Sequence, residues 1–221
     1  MFKFFKKADA DLQQDVMTEL RWDPSVTATQ IGVTVTDGIV TLRGTVPHYH
    51  EKICAEDAAQ RVGGVRAIAD ELEVNIEGVY ERTDEDIARA ALSALEWSYQ
   101  VPKGLKVKVE KGWVTLKGSV EWDYQRTAAH DAVTMLLGVR GVSNDVSIKM
   151  KVKSMDVKTS IQDALKRSAE SEGRGIHVSV DHNQVTLSGN VHSFADIEVA
   201  RLAAWNAPGV TNVTNELRLS L

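Results

Sequence analysis

Apolar and polar residues alternate strictly in three short segments of the chain, and a turn signal follows each segment. In the first segment, Ile31–Thr36 precedes Asp37-Gly38, a dipeptide that favours a two-residue hairpin because both of its positions need positive φ. Such alternation predicts a strand with one buried face. Pairing across the loop places four apolar side chains on one face, namely Val33, Val35, Val40 and Leu42.

The second strand of this hairpin repeats through the chain almost letter for letter. It reads VTLRG at Val40–Gly44, VTLKG at Val114–Gly118 and VTLSG at Val185–Gly189. The surrounding blocks, 31–74, 105–148 and 176–219, align without a gap. Self-similarity at a fixed period indicates a repeated structural unit, so the sequence predicts three copies of one domain.

Helical patterns flank each hairpin. Apolar residues spaced i, i+4, i+8 precede it, as expected of an amphipathic helix: Leu12, Val16 and Leu20; Ile87, Ala91 and Leu95; Val157, Ile161 and Leu165. Asp84 is expected to be the N-cap of the second of these helices. An alanine-rich helix and a third alternating strand follow each hairpin.

Each unit therefore reads α-β-β-α-β. We predict an α+β fold of three tandem domains, each a small three-stranded mixed sheet with two helices on one face. The expected boundaries are 1–77, 78–152 and 153–221. Repeated glycines are expected to be structural, with the first of each pair ending the second strand: Gly44 and Gly64, Gly118 and Gly138, Gly189 and Gly209.

This pattern resembles the BON domain (bacterial OsmY and nodulation). The matching features are the amphipathic first helix, the xVxVxxGxVTLxG hairpin, the alanine-rich second helix and the GV-x-x-V entry to the third strand. The resemblance implies a non-enzymatic module that binds phospholipid surfaces or other proteins, often in osmotic or envelope stress. It implies structural residues only and no catalytic set.

Composition adds limits to this picture. The chain is 43% hydrophobic with a formal net charge of −5, and the excess negative charge lies in residues 1–77, which carry 8 Lys/Arg against 13 Asp/Glu. That balance argues against a nucleic-acid partner. No apolar run suits a membrane span or a secretory signal. We expect a cytoplasmic protein, or a peripheral membrane protein, and a periplasmic one if a signal has been removed.

Catalytic and metal-binding signatures are weak. The sequence contains no GxxxxGK[ST], GxSxG, HExxH or paired CxxC motif. Cys54 is the single cysteine, and its alanine neighbours predict a small buried side chain. We therefore predict no enzyme activity, no cofactor, no catalytic residues and no metal ligands.

The outward sheet face of the middle domain carries the most distinctive candidate site. Alternation sends one tryptophan and several lysines outward together, namely Lys106, Lys108, Trp113, Lys117, Lys149 and Lys151. Three interpretations remain open: a solvated face whose lysines guard the sheet edges, a site for anionic lipid headgroups, or a surface that docks on the acidic first domain or another subunit.

Aromatic residues form a second candidate group in the middle domain, where the first helix ends and the second begins: Trp97, Tyr99, Trp122 and Tyr124. They either close the core between helices and sheet or form an exposed aromatic rim. The expected function is that of a stress-associated binding protein that contacts anionic phospholipid or envelope proteins. The alternative is a protein-binding or chaperone-like scaffold, or an oligomer.

Overall fold

The computed structural model describes residues 7–149, 157–167 and 175–220. The described residues contain three successive sets of two helices and three strands. The first set is α1 (Asp9–Trp22), β1 (Ile31–Thr36), β2 (Ile39–Val46), α2 (Tyr49–Arg61) and β3 (Ala67–Val74). The second is α3 (Asp84–Trp97), β4 (Lys106–Glu110), β5 (Trp113–Val120), α4 (Asp123–Thr134) and β6 (Gly141–Ile148). The third is α5 (Val157–Arg167), β7 (Ile176–Asp181), β8 (Gln184–Val191), α6 (Phe194–Trp205) and β9 (Asn212–Leu219).

Each set forms its own three-stranded mixed sheet. The hairpin strands pair antiparallel, and the third strand of each set lies parallel to the second, in the orders β1-β2-β3, β4-β5-β6 and β7-β8-β9. The predicted α+β fold of three tandem units is confirmed. The exact domain boundaries stay predictions, and the one at 152/153 lies outside the described residues.

The hairpin register agrees with the alternation. Thr36 pairs with Ile39 and Val35 with Val40, and the first loop residue has a positive φ of 52° at Asp37, 52° at Lys111 and 54° at His182. The apolar helix positions are buried against the inward sheet faces, as in Leu12, Val16 and Leu20 of α1. The side chain of Leu165 lies outside the described residues.

Gly44 does not end its strand as expected, because β2 continues to Val46. It lies inside the strand with a φ of +127°, and a Cβ there would be 1.9 Å from the carbonyl oxygen of Gln30. Gly189 repeats this geometry, with a Cβ position 1.8 Å from the oxygen of Gly175. The repeated glycine therefore lets the chain entering the first strand cross close to the second.

The expectation for Asp84 is also wrong. Thr83 is the N-cap of α3, since its hydroxyl accepts the backbone N–H of Asp86 at 3.2 Å. A hydroxyl that accepts from the third helical residue satisfies one of the free amides of the first turn. Asp84 is thus the first residue of the helix, and its carboxylate is available for another contact.

That contact holds the hairpin loop. The two carboxylate oxygens of Asp84 accept the backbone N–H groups of Lys111 and Gly112, both at 2.8 Å. Asp9 binds the two equivalent N–H groups of the first hairpin at 2.8 and 3.0 Å. A carboxylate at the start of the first helix therefore fixes where the hairpin meets the helix in both domains.

Candidate functional site

The outward face of the middle sheet carries lysines from all three strands or their ends. Lys106, Lys108, Lys117 and Lys149 are exposed there. Glu110 and Asp145 lie on the same face, so four lysines face two carboxylates. Lys151 lies outside the described residues. The face is therefore basic on balance rather than uniformly basic.

Lys108 is the member of this group with an ion-pair partner on its own strand. Its Nζ lies 2.8 Å from the carboxylate of Glu110. The hydrogen bond to Glu110 and the charge of that carboxylate raise the pKa of Lys108. An exposed pair of this kind adds little to stability, but it lowers the positive charge that Lys108 offers to a ligand.

Trp113 lies at the far end of this face from most of the lysines. Its side chain is 50% exposed, and Nε1 donates to the Ser143 hydroxyl at 2.8 Å. The ring covers Gly141, where a Cβ would be 2.4 Å from the ring. A cavity of about 430 Å³ beside it is shared with Val74 and Arg140. Trp113 is therefore placed at the junction with the first domain.

The other lysines gather where the sheet meets the end of α3. Lys106 lies directly opposite Lys117 in the β4–β5 register. Lys149 follows the last pair of β5 and β6, and its N–H donates to the carbonyl of Val120 at 2.8 Å. Like charges directly opposite each other destabilise a sheet. Asp145 on β6 lies opposite Lys117 and offsets part of that repulsion, and an anion bound here would offset more of it.

Two highly exposed aromatic side chains lie at this same end. Trp97 is the last residue of α3 and is 87% exposed, while Tyr99, in the loop that leads to β4, is 94% exposed. Neither side chain closes the core. We call the following group the lysine–aromatic end: Trp97, Tyr99, Lys103, Lys106, Lys117 and Lys149.

The remaining aromatic candidates are less exposed. Trp122 is half-buried immediately before α4, and Tyr124 is exposed on the first turn of that helix. A cavity of about 800 Å³ with mixed polar and apolar lining extends from Trp97 to Lys103 and includes Leu92. Lys103 was missed by the sequence reasoning, because it lies in a loop without periodicity. The only indication in the sequence is its position between the end of the first helix and the first strand of the domain.

The first domain offers a natural comparison. Trp22 ends α1 as Trp97 ends α3, is 82% exposed, and lies near a similar cavity of about 700 Å³. The lysine positions differ, however. Gly32 stands at the position of Lys106, and the equivalent of Lys117 is Arg43, which pairs with Glu71 at 2.6 Å. The same aromatic feature therefore exists without the lysines.

Other chemistry is sparse in the described part of the chain. Cys54 is partly buried, and burial, followed by the charge of Asp23, raises the pKa of its thiol. Within the described ranges, no three His, Cys, Asp or Glu side chains converge as metal ligands would. Among the described helices, none combines the length and apolar content that crossing a bilayer requires.

Comparison with known families agrees with the architecture. The BON domain family model matches residues 8–76, 83–150 and 155–220. The chain belongs to the BON domain family, as its sequence resemblance predicted. A comparison with curated protein sequences finds no match.

Solved structures similar to this chain include CdsD, a structural protein of the type III secretion system of Chlamydia trachomatis. That match has 16% identity and a TM-score of 0.26, and covers 95% of this chain and 92% of the other. The C-terminal domain of CdsD matches with 18% identity and a TM-score of 0.26, covering 97% and 100%. TM-scores this low carry no weight for the arrangement or role of the domains.

Proposed function

We propose that this protein is a non-catalytic binding protein that attaches to anionic phospholipid surfaces through the lysine–aromatic end of its middle domain. The observation that carries the proposal is the position of Trp97 and Tyr99. Both are almost fully exposed and line one cavity with Lys103, and Lys106 follows this loop as the first residue of β4. Exposed apolar side chains that gather in one patch, rather than singly, mark sites that meet a partner.

The chemistry of this end suits a lipid interface. Tryptophan and tyrosine favour the headgroup region, where a ring can be apolar on one side and hydrated on the other. A lysine near an anionic leaflet contributes about 1 kcal/mol. Lys103 and Lys106 lie within nine residues of Trp97 along the chain, and the strand register places Lys117 opposite Lys106, so this end can present them to one surface.

The proposal differs from a site spread over the whole sheet face. Trp113 donates a hydrogen bond to Ser143 and packs its ring over Gly141, and Lys108 forms an ion pair with Glu110. Both lie toward the hairpin loop or the middle of the strands, away from the C-terminal end of α3 where Trp97 lies. We therefore assign membrane contact to the lysine–aromatic end and a structural role to Trp113.

The comparison of Trp97 with Trp22 tests this assignment. Trp97→Ser is expected to weaken binding to vesicles of equal parts phosphatidylglycerol and phosphatidylcholine about tenfold, because about 60 Å² of apolar surface at the interface is lost. Trp22→Ser, the matched control, removes an equally exposed tryptophan that lacks the lysines and should change binding little. Co-sedimentation measures both variants.

Two results would count against the proposal. Equal losses for the two variants would mean that exposed tryptophan, rather than the lysine–aromatic end, determines binding. No binding of the native chain to these vesicles, together with capture of unfolded protein clients, would favour the protein-binding scaffold instead.

A further inference from the structure

The contacts between domains use the same position in each copy. Tyr49, Asp123 and Phe194 are the first residues of α2, α4 and α6 and coincide in the gapless alignment of the three blocks. Each of these side chains lies against a different domain from its own. The three contacts differ in chemistry although the position is equivalent.

Tyr49 joins the first domain to the second. Its ring packs against the apolar core that the second and third domains share. Burial raises the pKa of Tyr49, and this effect outweighs the backbone hydrogen bond from Val142 of β6, which lowers it. A second link joins the same two domains, because Arg140 donates to the carbonyl of Val74 at 2.9 Å.

Asp123 joins the second domain to the third. Its side chain is 5% exposed and forms ion pairs with Arg126 of its own helix and, at 3.7 Å, with Arg201 of α6. The Arg126 contact lacks hydrogen-bond alignment, so the Oδ1 atom of Asp123 relies on charge alone. Arg126 also stacks over the ring of Trp205, 4.6 Å from its centroid.

Phe194 joins the third domain back to the first. Its ring packs against the core of the first domain, which lies more than 100 residues earlier in the sequence. Helices α2 and α6 are in contact. Consistent with this, burial raises the pKa of Asp57 on α2, the charge of Arg61 lowers it, and the charge of Glu198 on α6 raises it further.

We propose that the start of the second helix is a docking surface for a neighbouring BON domain of the same chain, and that its three copies close the protein into a ring. A linear array would leave the third copy without a domain to contact. Here Phe194 packs against the first domain. Each domain therefore places one helix start against a neighbour and receives one helix start from the other neighbour.

The differing chemistry of the three junctions fixes their order. A phenol meets a backbone amide, a carboxylate meets two guanidinium groups, and a phenyl ring meets an apolar core. A buried carboxylate facing an apolar surface would keep Arg126 of its own helix but lose its partner in the other domain, at high cost. Asp123 therefore suits only the third domain, whose Arg201 replaces Glu56 of the first.

Hydrogen exchange in the full chain tests ring closure. Phe194→Ser is expected to raise amide exchange in α2 and β3 of the first domain about 5- to 30-fold, the range expected when one such contact is lost. The matched control is Ala195→Ser, one residue along the same helix and exposed, which should leave the first domain unchanged. Unaltered exchange in the first domain of Phe194→Ser would overturn the ring.

A milder variant covers the case in which Phe194→Ser does not fold. Tyr49→Phe keeps the ring and removes the hydroxyl, so exchange at the Val142 amide should rise while neighbouring β6 amides stay protected. No change at Val142 would overturn the junction. Exchange effects that depend on protein concentration, with sedimentation as a dimer, would mean that the surface binds a second copy, and would also overturn the ring.

Discussion

Replacing both Lys106 and Lys117 by glutamate should lower the affinity for anionic vesicles by about 100-fold or more. Each lysine contributes about 1 kcal/mol near an anionic leaflet, and reversal adds repulsion to the lost attraction. Every 1.4 kcal/mol changes affinity tenfold. The effect should shrink as salt is added, since salt screens exposed charges. Co-sedimentation at low and physiological ionic strength measures both trends.

The fold should tolerate this double substitution. Lys106 and Lys117 are exposed and directly opposite each other, so one like-charged pair replaces another. The new carboxylate at position 117 also faces Asp145 on β6, which costs at most about 1 kcal/mol. The matched control is Lys158→Glu with Arg218→Glu, two exposed positions of the third domain that change the net charge equally. Loss of binding in both double variants would show that overall charge matters rather than the lysine–aromatic end.

Gly44→Ala should lower the free energy of unfolding of the first domain by about 3 kcal/mol. The added Cβ would lie 1.9 Å from the Gln30 carbonyl oxygen, and the φ of +127° is one that residues with side chains rarely adopt. Strain of this kind costs about 1–3 kcal/mol, and relieving the clash adds to it. Urea unfolding followed by circular dichroism measures the change.

Gly63 supplies the control for that prediction. A Cβ at Gly63 meets nothing within 4 Å, so Gly63→Ala should change stability by less than about 1 kcal/mol in either direction. Similar stability for the two alanine variants would mean that the crossing of the chain over Gly44 is not a constraint on folding.

The sheets and their registers were predictable because alternation and a two-residue turn together leave few choices. Val35 opposite Val40 follows from the position of Asp37-Gly38 alone. Gly44 was less predictable, since its special backbone depends on the chain before β1, which shows no periodicity. Asp84 was misassigned because an aspartate suits both a helix cap and a loop clamp, and Thr83 took the first role.

The candidate site was predictable in its face but not in its extent. The alternation of side chains along each strand places Lys106 and Trp113 on one side of the sheet. The hydrogen bond of Trp113 to Ser143 holds the ring at the other end of that side, away from the lysines. Trp97 and Tyr99 lie where a helix ends, and beyond that point no helical or strand period determines which way a side chain points. Their exposure therefore could not be predicted from the sequence. The contacts between domains made by Tyr49, Asp123 and Phe194 have only one indication in the sequence, namely that three chemically different residues stand at one equivalent position.

Hydrogen exchange of the native chain with and without anionic vesicles tests the central proposal most directly. The proposal predicts slower exchange across 97–106, which joins α3 to β4, with little change across the equivalent loop 22–31 of the first domain. Vesicles that bind the chain but protect residues 22–31 or the third domain, and leave 97–106 unchanged, would contradict it.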